Sequence, residues 1–165
     1  MYQTFDAPAV HQLLGTQPED APWGLIVHGI YDMANAARHW RDRLANARVA
    51  ANAFNIIIGE YQDKTIWYAP VLGAPLAAFA VHCAAVLGVR SIVQIGSYGG
   101  TRRGGTVGDL LIITGAGRGD GASDWYLPAG APTRPDPALT ERLRHVLRQR
   151  GLAWCIVDVF RKQGV

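Results

Sequence analysis

SIVQIGSYGGTRRGGTVGDLLIITGAGRGDGASDWYLP, residues 91 to 128, is the stretch on which the reading of this chain turns. An apolar strand, Ile92 to Ile95, runs into the glycine-rich turn Gly96-Ser97-Tyr98-Gly99-Gly100. A second strand follows from Leu110 to Thr114, and a polar loop closes the stretch. Glycine at the C-terminal end of a strand removes the Cβ and opens backbone N–H groups to a ligand. In open α/β sheets, that end of the strands is where ligands bind. The turn is therefore expected to floor a pocket; the alternative is a tight turn between buried strands with no ligand. Two familiar glycine motifs do not fit. A dinucleotide fingerprint needs G-x-G-x-x-G opening a helix, and Thr101-Arg102-Arg103-Gly104-Gly105 starts a helix poorly. A P-loop needs G-K-[ST], which the chain lacks.

Strands and helices alternate outward from this stretch. Leu25-Ile26-Val27 reads as a short buried strand ending at His28-Gly29. Asp32 then caps a helix to about Leu44, with Met33, Ala37, Trp40 and Leu44 on one face. Phe54 to Tyr61 and Thr65 to Tyr68 read as a hairpin turning near Gln62-Asp63-Lys64. A helix follows Gly73-Ala74-Pro75, where proline suits the first turn, and stops at Gly88. Asp136-Pro137 opens an amphipathic helix with Leu139, Leu143, Val146 and Leu147 inward, ending at Gly151. Ala153 to Phe160 is a last apolar strand, of a kind usually buried on both faces. The expected architecture is α/β: a mixed central sheet flanked by helices, in one domain over residues 1–165.

Composition narrows the functional classes. At 49% apolar and 18% charged residues, the chain has the makings of a globular core rather than of a disordered segment. A net charge of +3 attracts anions only weakly, and no basic stripe with interleaved aromatics points to nucleic acid. Neither Cys83 nor Cys155 lies in a C-x-x-C, and both read as buried thiols. No histidine pair has metal-ligand spacing, so no metal is expected. The N-terminus lacks the pattern of a signal peptide, and the longest apolar run, Ala74 to Leu87, is too short to span a bilayer. A cytoplasmic location with no membrane partner is the expectation.

From Tyr68 to Pro128 the chain resembles the nucleoside phosphorylase family, which includes uridine phosphorylases, hexameric purine nucleoside phosphorylases and methylthioadenosine nucleosidases. The matching pieces are Leu72-Gly73-Ala74-Pro75 before a helix and Ile95-Gly96-Ser97-Tyr98-Gly99-Gly100 after a strand. Val107-Gly108-Asp109, Gly119-Asp120-Gly121-Ala122-Ser123 and Tyr126-Leu127-Pro128 complete the set. The resemblance implies cleavage of an N-glycosidic bond, by phosphate in phosphorylases or by water in nucleosidases. It implies a nucleoside or nucleobase as ligand, a homo-oligomer, and no cofactor beyond phosphate as a possible co-substrate. It places Ser97 and nearby amides on phosphate or ribose, Leu72 and Gly73 on ribose, and Tyr98 and Gly99 on the base. Gly29 is kept from a phosphate-binding Gly-Asp-Pro turn. His11 stands where many members place a histidine in a neighbouring subunit's ribose pocket; the other reading makes it a solvated residue of an irregular N-terminal segment. His28 either faces the anion site or is a satisfied core histidine. His82 reads as structural, and His39 and His145 as surface residues.

Departures from the family pattern qualify the chemistry. Its phosphate arginines fall here on Met33, on Gln94, and near Ala51 or Asn52, with Arg48 close to the last position. Arginine binds phosphate through a planar fork, so the phosphate subsite reads as degraded. Family members also continue past Val165, into a part that supplies a Met-Glu motif for ribose hydroxyls and an acid for the leaving base. The chain is thus expected to be a C-terminally shortened member with no assigned catalytic residue. It is read as an enzyme of the pentosyltransferase or nucleosidase type, or alternatively as a non-catalytic nucleoside-binding or assembly subunit.

Overall fold

A computed structural model describes residues 5–52, 55–99 and 106–159. Two compact units make up the chain, one reaching Tyr98 and the other beginning at Gly99. The first unit holds helices α1 (Ala7–Leu14), α2 (Met33–Arg41) and α3 (Ala74–Val86). Its strands are β1 (Gly24–Gly29), β2 (Ala45–Val49), β3 (Ile57–Tyr61), β4 (Lys64–Val71) and β5 (Ser91–Gly96). They form one sheet in the order β2-β3-β4-β1-β5. The sheet is mixed: β1 runs parallel to β4 and β5, whereas β3 runs antiparallel to β2 and β4.

Period-two alternation along the strands feeds both faces of this sheet. Leu25, Val27, Ile58, Trp67 and Ala69 point one way and pack with Val10 and Leu14 of α1 and Ala80, Cys83 and Ala84 of α3. Ile57 and Tyr68 point the other way, against Ala36 and Leu44, with Ile26 and Trp40 alongside. The capping residues read from sequence do their work. The Asp32 carboxylate accepts the Asn35 amide at 3.1 Å, and Gly88 leaves α3 at φ 81°. Gln62 and Asp63, both at positive φ, form the tight turn between β3 and β4 that twist-matched hairpins prefer.

Several expectations are corrected. The N-terminal segment carrying His11 is not irregular but helical, with Asp6 accepting the Ala9 amide at 2.9 Å and Gly15 closing α1 at φ 65°. The helix expected to reach Leu44 stops at Arg41, and Ala45–Val49 forms an edge strand that the polar sequence did not announce. Cys155, expected to be buried, is exposed on its strand, whereas Cys83 is buried as expected.

The second unit contains β6 (Leu110–Ala116), α4 (Pro137–Gln149) and β7 (Trp154–Val159). Its two strands pair in parallel, with Leu110 opposite Trp154 and Ile112 opposite Ile156. Asp136 caps α4 by accepting the Leu139 amide at 2.7 Å. The Arg144 and Arg148 guanidinium groups each sit 5.7 Å from the Trp154 ring centre. Leu143 and Val146, expected to face inward, are instead 39% and 44% exposed. The loop before α4 is tied by Arg118, which donates to the carbonyls of Leu127 and Pro128 and to Ser123 Oγ, and pairs with Asp124. Phe160 and the glycine-turn residues 100–105, including Arg102 and Arg103, lie outside the described residues.

Candidate functional site

Three parallel strands end together. In register, Gly29 of β1 lies between Val71 of β4 and Gly96 of β5. Beyond this line the chain continues as Leu72-Gly73, Ser97-Tyr98 and Ile30-Tyr31, so five predicted site residues, Gly29, Leu72, Gly73, Ser97 and Tyr98, share one closing edge. Gly99, the first residue of the second unit, follows Tyr98 directly, and among the described residues, its chain neighbours aside, no heavy atom lies within 4 Å of where its Cβ would be. Leu72 and Tyr98 are 46% and 50% exposed, which leaves their apolar surfaces available to a ligand.

The glycines have distinct structural reasons. A Cβ on Gly96 would come within 3.2 Å of the Gly29 carbonyl oxygen, so a side chain there would press β1 back by a few tenths of an ångström. Gly73 adopts φ 85°, a conformation costly for side-chain-bearing residues, and hands the chain into α3. The first turn of α3 therefore opens at the closing edge, where helix amides favour negative partial charge. The start of α2 is occupied differently, because the Asp32 carboxylate already caps it.

His28 occupies the penultimate position of β1. Its Nδ1 lies 2.7 Å from the hydroxyl of Tyr68, whose ring stacks on Trp40 at 5.0 Å between centres. Burial lowers the His28 pKa below 6.5 and pushes the Tyr68 phenol up to about 12, so both are neutral near pH 7. Sequence reading weighed His28 but passed over Tyr68 and Trp40, because lateral strand order places residues 40 apart in contact without any local signal.

His11 lies on α1, with Nδ1 2.9 Å from the Thr16 hydroxyl. Ring contact with Phe5 accompanies the structural reading of His82, and His39 and His145 are exposed as expected. No group of three or more His, Cys, Asp or Glu side chains suited to a metal occurs among the described residues.

Two cavities open on the α2 side of the sheet. One, of about 620 Å³, lies beside the closing edge and is lined by Tyr31, Asp32, Met33, Arg38 and Arg41, among others. The other, of about 530 Å³, is more apolar and lies at the opposite end of the strands, between Trp23, Trp40, Ile66 and Val93. Its cation, Arg43, is engaged with the His39 carbonyl, and no set of polar groups converges there. In open α/β sheets ligands bind outside the carboxyl ends of the parallel strands, which in this chain is the closing edge.

Against known proteins, residues 24–163 match the family model described as the phosphorylase superfamily. The chain belongs to that superfamily. Within the phosphorylase superfamily, it is 35% identical over 81 residues to a uridine phosphorylase of Haemophilus influenzae, covering 49% of this chain and 32% of that protein. It is 37% identical over 71 residues to a guanosine phosphorylase of Halorubrum lacusprofundi, covering 42% of this chain and 30% of the relative. The fold matches a crystal structure of uridine phosphorylase from Vibrio fischeri with a TM-score of 0.72 at 22% identity, over 90% of this chain and 63% of that one. The matches thus span about a third of the length of these curated relatives.

The phosphorylase arginine positions take concrete form in the fold. Met33 opens α2 directly after Asp32, and Gln94 stands exposed on β5. Arg48, the nearest cation to the third position, lies on the far edge strand β2 and is paired with Asp20. Asn52 donates its amide to the Leu14 carbonyl at 3.3 Å.

Proposed function

We propose that the chain binds a nucleoside at the closing edge of β4, β1 and β5, with the base beside Tyr98 and Gly99 and the ribose beside Leu72, Gly73 and Ser97. The common ending of β4, β1 and β5 at Val71, Gly29 and Gly96, with Leu72-Gly73 and Ser97-Tyr98 following directly, is the observation that carries this reading. Backbone donors hold sugar oxygens without ordering a flexible side chain, and the neutral walls of Leu72 and Tyr98 favour a flat base. Relatives named for uridine and for guanosine leave both base classes within range.

Turnover, where it occurs, breaks the bond between the anomeric carbon and the base nitrogen while water adds to that carbon. A proton must reach the departing base, since positioned proton transfer is typically worth about 10²–10⁴-fold. Among the described residues, none of the proposed site residues Gly29, Leu72, Gly73, Ser97, Tyr98 and Gly99 carries a carboxylic acid. Calorimetric titration with a panel including uridine and guanosine tests the proposed binding. Binding is expected, with a loss of tenfold or more on Ser97→Trp, which fills the socket, as an order-of-magnitude figure. Silence of the wild-type chain across the panel would overturn the reading.

A further inference from the structure

Tyr68 is fully buried, yet its hydroxyl has one partner among the described residues, Nδ1 of His28 at 2.7 Å. A buried O–H left without an acceptor costs about 1–3 kcal/mol. The phenol therefore donates to Nδ1, because a proton on Nδ1 would leave the hydroxyl proton without a destination. With Nδ1 fixed as the acceptor, the ring proton of neutral His28 sits on Nε2. Stacking of Tyr68 on Trp40, tilted by only 20°, holds the phenol in place and the imidazole with it.

Position gives this proton a use. The last two residues of the three parallel strands are His28-Gly29, Pro70-Val71 and Ile95-Gly96. Among these six, His28 alone carries a hydrogen-bonding side chain. The residue is only partly buried, and its Nε2 has no protein partner among the described residues. A neutral N–H thus stands among strand-end residues that otherwise offer only main chain and apolar groups.

We propose that His28, locked as its Nε2–H tautomer by Tyr68, donates a hydrogen bond to a neutral oxygen of the bound nucleoside. Tyr68 is then a positioning residue, acting through His28. The inference rests on the nucleoside reading given above and deepens it, by naming a specificity contact that uncharged ligands satisfy.

The test uses the full chain with ¹⁵N-labelled histidine, titrated with uridine and guanosine. Before ligand, the His28 ring is expected to show a protonated Nε2 and an unprotonated Nδ1, and ligand should move the Nε2 resonance. Tyr68→Phe keeps the stack on Trp40 but removes the lock. It should mix the two tautomers and weaken binding by about tenfold, the worth of one hydrogen bond. His28→Gln places an amide N–H near the Nε2 position and should retain most of the affinity, whereas His28→Ala should lose about tenfold. Binding that leaves Nε2 unmoved, or full affinity in a folded His28→Ala chain, overturns the contact while the nucleoside reading stands. Failure of both nucleosides to bind the wild-type chain overturns both.

Discussion

Burial of His28 and Tyr68 makes stability depend on pH in opposite directions at the two ends of the scale. The folded chain holds His28 below its ordinary value of 6.5 because burial disfavours the imidazolium. As pH falls below about 6.5, the unfolded chain takes up a proton that the folded chain resists, and stability falls. Tyr68 behaves as an acid kept neutral: its pKa rises from 10.0 to about 12, so the unfolded chain ionises first and stability is lost between these values. Denaturant midpoints measured across pH should therefore decline at both ends. Other groups titrate at the same extremes, so the variants isolate these two. His28→Gln is expected to flatten the acid arm and Tyr68→Phe the alkaline arm. An acid arm with the same slope in His28→Gln would show that burial of this ring does not set it.

Gly59, in the middle of β3, makes possible the passage from α2 into β2. A Cβ there would lie 2.6 Å from Leu44 Cβ and 3.1 Å from the Ala45 carbonyl oxygen, closer than packed atoms tolerate. Leu44 is buried, and the β2–β3 register is already irregular between Ala45 and Arg48, with Asn46 at φ 52°. Gly59→Ala is expected to cost about 1–3 kcal/mol in urea denaturation, the usual penalty of overpacking. Gly24→Ala is the control, since its Cβ would press on the flexible end of Ile66 at 3.1 Å and meet the Ser91 carbonyl oxygen at an ordinary 3.7 Å. Equal stability of the two variants would refute the argument. The same region shows what the sequence discloses and what it does not. Apolar strands with glycine ends and helices with Asp or Pro starts were legible because one local signal marks each: Asp32, Pro75 and Asp136 all lie where expected. Strand β2 was not, because Ala45-Asn46-Ala47-Arg48-Val49 is a short, exposed edge whose pairing comes from β3 rather than from its own pattern. Helix α1 had its signals in Asp6 and Gly15, but eight residues give periodicity little room. Of the candidate site, the strand end at Gly96 was readable from the apolar run before it, and the roles given to Ser97 and Gly73 came from the family resemblance. The Tyr68–His28 contact was not readable, since it depends on β4 lying beside β1.

For the molecule as a whole, the distribution of cations bears on which nucleophile the site can use. Phosphate dianion needs cations within reach, and a charge-assisted contact is worth about 1.5–3 kcal/mol. On the proposed reading, Met33 and Gln94 in place of two arginines are expected to lower phosphate affinity by about a hundredfold or more. Asp32 places a carboxylate at the start of α2, and Arg48 on β2 is paired with Asp20. Arg38 and Arg41 line the neighbouring cavity but sit farther along α2, on its exposed side. Any release of base from a nucleoside should consequently proceed at the same rate with and without millimolar phosphate, yielding free ribose rather than ribose 1-phosphate. Chromatographic product analysis distinguishes the two. Restoring a cation with Gln94→Arg should raise phosphate affinity by about tenfold or more, read by calorimetry with inorganic phosphate. Tight phosphate binding by the wild-type chain, or ribose 1-phosphate as its product, would overturn the reading of a weakened phosphate subsite.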